Sequence, residues 1–146
     1  MNAQLVARIL GVLFLLAGIA GALPWTSSEA PFDANVITLD QADHYYRFIF
    51  GMFPVNLPHD GLHVLFGVWG LLAGLNFKAA VGYLRFVAVV YLFIAILGIV
   101  PITNTLFGAA PIYGWDVLLH VLAMLLAAYG GFGAGSIQAI AEEGKT

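Results

Sequence analysis

RILGVLFLLAGIAGALPWT, residues 8–26, and RFVAVVYLFIAILGIVPIT, residues 85–103, decide the fold. Each opens on an arginine, runs through uncharged apolar residues, and closes on a proline followed two positions later by a threonine. About 20 such residues are needed to cross the hydrocarbon core of a bilayer as a helix. The two stretches also match in detail. Arg8 pairs with Arg85, Val12 with Val89, Leu15 with Leu92, Gly21 with Gly98, Pro24 with Pro101 and Thr26 with Thr103, always 77 positions apart. A repeated membrane helix implies a repeated membrane unit.

The rest of the chain agrees with a lipid environment. Of its 146 residues 62 % are hydrophobic and 9 % charged, where a soluble domain carries about 25 % charged. Two further windows are long and apolar enough to span, giving four in all: roughly 4–23, 60–77, 82–100 and 115–134. Backbone amides in lipid must bond within their own segment, so these windows are helices, and the strict alternation of a membrane barrel is absent. Arg8 followed by an apolar run also fits a signal peptide. The recurrence of the same pattern at Arg85 argues against cleavage. A net charge of −3 without a basic run disfavours nucleic acid, and the lack of cysteine excludes disulfides and thiolate-bound metals.

Basic residues set the expected orientation. Arg8, Lys78, Arg85 and Lys145 fall on one side and Arg47 on the other. Both termini and the turn between the second and third helices are therefore expected in the cytoplasm, in a bacterial inner or thylakoid-type membrane. The opposite face carries Glu29, Asp33, Asp40, Asp43, Asp60 and Asp116.

The second helix of each unit repeats as well. FGMFPV at 50–55 matches FGAAPI at 107–112, and His59, His63, Val64 and Leu65 correspond to Asp116, His120, Val121 and Leu122, now 57 positions apart. The 20-residue difference between the two offsets is an insertion within Ser27–Ile49. Two helices per unit means that the second unit enters the membrane in the same sense as the first. The expected fold is an all-α four-helix bundle of two parallel-repeat hairpins, with a pseudo-two-fold axis along the membrane normal. Glycines on helices 1 and 2, among them Gly11, Gly18, Gly67, Gly70 and Gly74, allow close helix approach. The outer loop, 25–58, is too long to be an unstructured link. LDQADHYYRFIFGMF within it is expected to lie as an interfacial helix, either capping the bundle or docking another subunit, or lying in the interface with no partner. The tail, 135–146, is polar.

His59 and His63, and likewise Asp116 and His120, are four residues apart, which places each pair on one helix face. If the two helices face each other, four side chains able to bind a metal converge at the outer end. Three readings stand. One is a metal site of His59, His63, Asp116 and His120, suited to zinc, iron or manganese. The second is a tetrapyrrole, with His63 and His120 as axial ligands of a haem or each binding a chlorophyll. The third is structural, with Asp60 and Asp116 as helix caps and the histidines satisfied by backbone. Ionisable groups within a membrane are costly, which marks them as functional candidates. Asn56 and Asn104 are expected to satisfy backbone before helices 2 and 4. Arg8 and Arg85 are expected to reach lipid phosphates. Nucleotide loops, nucleophile elbows and HExxH motifs are absent.

GMFPVNLPHDGLHVLFGVWG (51–70), YLRFVAVVYLFIAILGIVP (83–101) and LFGAAPIYGWDVLLH (106–120) resemble the bacterial membrane-protein family catalogued as domain of unknown function 4383. The resemblance implies a four-helix membrane protein with His59, His63, Asp116 and His120 in its motif, and implies no activity. The expected role is a non-enzymatic accessory or cofactor-bearing subunit of a larger membrane complex or homo-oligomer. The alternatives are a metal-dependent membrane hydrolase and a haem or chlorophyll protein built on the same cluster.

Overall fold

The computed structural model describes residues 2–29 and 46–134. Four α-helices dominate. Helix α1 (Ala3–Ala22) begins where the Asn2 side chain accepts from the Leu5 N–H at 2.8 Å. It stops before Pro24, whose ring cannot continue the backbone ladder. There the Thr26 hydroxyl donates to the carbonyls of Ala20 and Leu23, groups that a helix end leaves without partners. α3 (Phe77–Ile99) is built in the same way. Asn76 caps its start, Pro101 follows its end, and the Thr103 hydroxyl donates to Leu97 and Val100.

α2 (Leu57–Ala73) starts at Asn56, which accepts from the His59 N–H at 3.0 Å and donates through Nδ2 to the Ala109 carbonyl at 3.0 Å. α4 (Trp115–Ala128) follows Gly114 and continues as a π-helical turn, Tyr129–Ala134. Asp60 and Asp116 therefore sit in first helical turns but cap neither helix; Asn56 and Gly114 occupy those positions.

Three of the helical segments, Ala3–Ala22, Phe77–Ile99 and Trp115–Gly133, are long and apolar enough to cross a membrane. Leu16, Leu72, Phe93 and Leu125 are each more than half exposed, a face that favours lipid over water. The chain is a mostly helical integral membrane protein. α2 begins earlier and ends earlier than the apolar window at 60–77 implied, because Asn76 opens α3 directly after the Gly74-Leu75 turn.

A small sheet sits at the loop end. Strands β1 (Ser27–Glu29), β2 (Arg47–Ile49) and β3 (Phe53–Val55) pair antiparallel in that order, with Ser27 opposite Ile49 and Ile49 opposite Phe53. An interfacial helix was expected over part of this stretch, and for 46–55 the structure has a hairpin instead. Two local features favour it. Phe50 and Gly51 both take positive φ, 52° and 71°, and the Met52 N–H donates to the Ile49 carbonyl, as in a tight hairpin turn. Pro54 then has no N–H to give a helix. The matching Phe107 and Gly108 also take positive φ, 59° and 91°, so the repeated Phe-Gly pair encodes a left-handed turn in both places. Residues 30–45, with His44, and the tail from 135 lie outside the described residues.

α1 packs along α2, and α3 along α4. Gly11 and Gly67 bring the first pair into backbone contact: a Cβ on either would stand 2.9 Å from the other's carbonyl oxygen. At the far end Arg8 Nε donates to the Gly74 carbonyl at 3.0 Å, and Arg85 Nε to the Gly131 carbonyl at 2.9 Å. Each arginine thus satisfies a carbonyl near the end of a neighbouring helix instead of only reaching for lipid. Between the pairs lies a core that includes Val6, Leu10, Tyr83, Leu84 and Val87, all at most 1 % exposed.

Candidate metal centre

Four residues of the repeated motif meet at the sheet end of the helices. His59 and His63 project from α2 one turn apart, their ring centroids 4.6 Å from each other. Asp116 and His120 project from α4 in the same way. His120 lies 6.0 Å from His59 and 6.4 Å from His63, centroid to centroid. Each histidine offers a ring nitrogen, and these three nitrogens lie within 4.8 Å of one another. Asp116 stands beside the trio, with Oδ2 3.4 Å from His120 Nδ1 and 3.9 Å from His59 Nε2.

The cluster is dry. All four residues are at most 8 % exposed. Yet His59 Nδ1, His63 Nδ1, His120 Nδ1 and Asp116 Oδ2 make no hydrogen bond. A buried polar atom left without a partner costs about 1–3 kcal/mol. Asp116 Oδ2 and His120 Nδ1 face each other at 3.4 Å, while His63 Nδ1 is buried with no polar partner, a cost that packing alone does not explain. Asp60, also buried with Oδ1 unpaired, packs its carboxylate against Gly21, where the missing side chain makes room. It faces α1.

Aromatic rings wall the site. Phe14 stacks on His63 at 5.7 Å with an interplanar angle of 12°, and Tyr91 meets His120 edge-on at 5.2 Å. Phe14 and Tyr91 stack on each other at 5.0 Å. Nothing in the sequence singles out these two beyond the spacing of 77 that links them, the same that relates Arg8 to Arg85. Outside the helices, the Tyr113 phenol is pushed above its usual range by burial, with Tyr46 and Asp116 adding to the shift.

A cavity of about 300 Å³ opens from the trio between α1 and α4. His63, Asp116 and His120 form its polar end, and its remaining wall, including Leu10, Leu13, Leu119 and Leu126, is almost wholly apolar.

No curated protein and no solved structure matches the chain. A family model described as Domain of unknown function (DUF4383) matches residues 4–133, nearly its whole length, and the chain belongs to that family.

Proposed function

We propose that this member of the family is a metal-holding membrane protein, with His59, His63 and His120 as ligands and Asp116 beside them. The observation that carries the reading is the set of three buried histidine nitrogens within 4.8 Å of one another, their Nδ1 atoms unpaired. Imidazoles at about 2.0–2.1 Å from a tetrahedral ion stand about 3.3 Å apart, so small ring rotations would bring the trio into range. Three nitrogen donors with a carboxylate suit a first-row divalent ion such as zinc, iron or manganese. The ion would supply a fixed positive charge and a site for an oxygen ligand. Asp116 would orient His120 or accept a proton from whatever binds.

A haem between His63 and His120 has less support. His59 is within reach of both rings and fills space that the porphyrin plane would need. A metal-dependent hydrolase is the second reading, favoured by Asp116 standing next to the trio instead of completing it.

In this reading the protein is a four-helix bundle of two equivalent hairpins, which the paired contacts Arg8–Gly74 and Arg85–Gly131 support, since their donors are 77 residues apart and their acceptors 57. The distribution of lysine and arginine supports both termini being cytoplasmic. A subunit role in a larger membrane complex remains part of the proposal. The test is metal analysis of purified protein with cobalt(II) titration. One ion per chain with tetrahedral cobalt bands is expected, both lost in His63→Ala and His120→Ala. Wild-type protein without stoichiometric metal, and without cobalt bands on titration, would overturn it.

A further inference from the structure

The cavity beside the trio lies where side chains are small. On the α2–α3 side of the molecule Phe66, Trp69, Tyr83 and Phe86 pack ring on ring, with centroids 5.1–6.2 Å apart. On the α1–α4 side the residues 57 positions after Phe66 and Trp69 are Ala123 and Leu126, and those 77 before Tyr83 and Phe86 are Val6 and Ile9. All four aromatic residues are replaced by smaller side chains, and two of the replacements, Ala123 and Leu126, line the groove. Leu13, Leu119 and Leu122 on its rim are each close to half exposed, so its mouth faces the acyl region of the bilayer. Leu10, Phe14 and Tyr91 are buried at its floor.

We infer that this groove binds a hydroxyl-headed lipid, its hydrocarbon chain between α1 and α4 and its head at His63, His120 and Asp116. The walls suit a chain and little else. The head is named by the buried polar atoms at the closed end that lack a hydrogen bond, Nδ1 of His63 and of His120 and Oδ2 of Asp116. A hydroxyl offers its oxygen to the histidines, or to an ion they hold, and its hydrogen to Asp116. A carboxylate would bring a second negative charge against Asp116 and has no hydrogen to donate. An ester carbonyl also lacks the hydrogen. The chain-binding part stands on the groove and is independent of the metal reading.

The experiment is photo-labelling of the full chain in phosphatidylcholine nanodiscs with a diazirine-bearing long-chain alcohol, mapped by mass spectrometry. Labelling is expected on α1 and α4 peptides that line the groove and to be competed by unlabelled alcohol. Ala123→Phe restores the ring present at Phe66 and is expected to cut it at least about tenfold, a change of about 1.4 kcal/mol. Ala17→Leu, filling the groove from α1, guards against misfolding of the first variant, and the melting temperature of each is measured alongside. Equal labelling of outward positions such as Leu72 and Val89, or labelling untouched by both variants, would show ordinary boundary lipid and overturn the inference. So would a carboxylate probe of equal chain length that labels as strongly. Metal content measured on the same samples separates the two ideas: labelling without metal sinks the metal reading alone, and metal without labelling sinks this one alone.

Discussion

Arg8 Nε donates to the Gly74 carbonyl at 3.0 Å, a bond from the start of one helix to the residue that closes the next. That carbonyl belongs to a helix end and has no partner within its own ladder. A charged donor to a carbonyl contributes about 1.5–3 kcal/mol. Arg8→Leu is therefore expected to lower the melting temperature in detergent, and Arg85→Leu, which breaks the bond to Gly131, to do so by a similar amount. Arg8→Lys should not restore it, because lysine lacks the side-on Nε–H. Unchanged melting in both leucine variants would show that the arginines act only at the lipid surface.

Metal uptake should depend on pH. Ligating imidazoles must be neutral, so protons compete with the ion. Cobalt or zinc affinity is therefore expected to fall on acidification. Affinity that acidification leaves unchanged, measured by competition with a chelator whose own pH response is known, would remove the imidazoles as ligands.

Tyr113 gives a stability prediction at the alkaline end. Its phenol is held above the usual range in the folded protein, burial being the main cause. The folded state therefore keeps a proton that the unfolded chain releases above about pH 10. Stability is unaffected below that pH and falls as pH rises through it. Tyr113→Phe should lose less stability between about pH 9 and 11 than the wild type. Parallel losses in the two proteins would remove Tyr113 from the account.

The backbone contact between α1 and α2 predicts a sharp contrast among glycines. Gly11→Ala places a Cβ 2.8 Å from the Leu71 nitrogen and 2.9 Å from the Gly67 oxygen, so the helices must separate. Overpacking of this kind costs about 1–3 kcal/mol. Gly61→Ala and Gly82→Ala meet nothing within 4 Å and should be neutral or stabilising. Thermal melting of the three variants decides; equal melting points would mean that the contact yields freely.

What the sequence could say depended on the period of the signal. α1, α3 and α4 were legible because lipid demands long apolar runs, and the prolines at 24 and 101 mark two of their ends. His59, His63 and His120 were legible as a group because an offset of 57 and a spacing of four place them on facing helices. The hairpin at 47–55 was not, since Phe48, Ile49 and Phe53 suit a lipid-facing helix as well as a strand, and the left-handed turn at Phe50-Gly51 decides between them. Phe14 and Tyr91 were invisible as walls of the site because nothing in a run of leucines and aromatics says which one points inward. The groove was further out of reach. It depends on Ala123 standing where its counterpart is Phe66, a difference in volume that matters only once the helices are assembled.

With Gly11 against Gly67, the first two helices lie backbone to backbone, with Leu15 and Val64 fitted into the same seam. Contact this close leaves them little room to shift independently. Widening the groove lined by the leucines and alanines of α1 and α4 would therefore require α1 and α2 to tilt together.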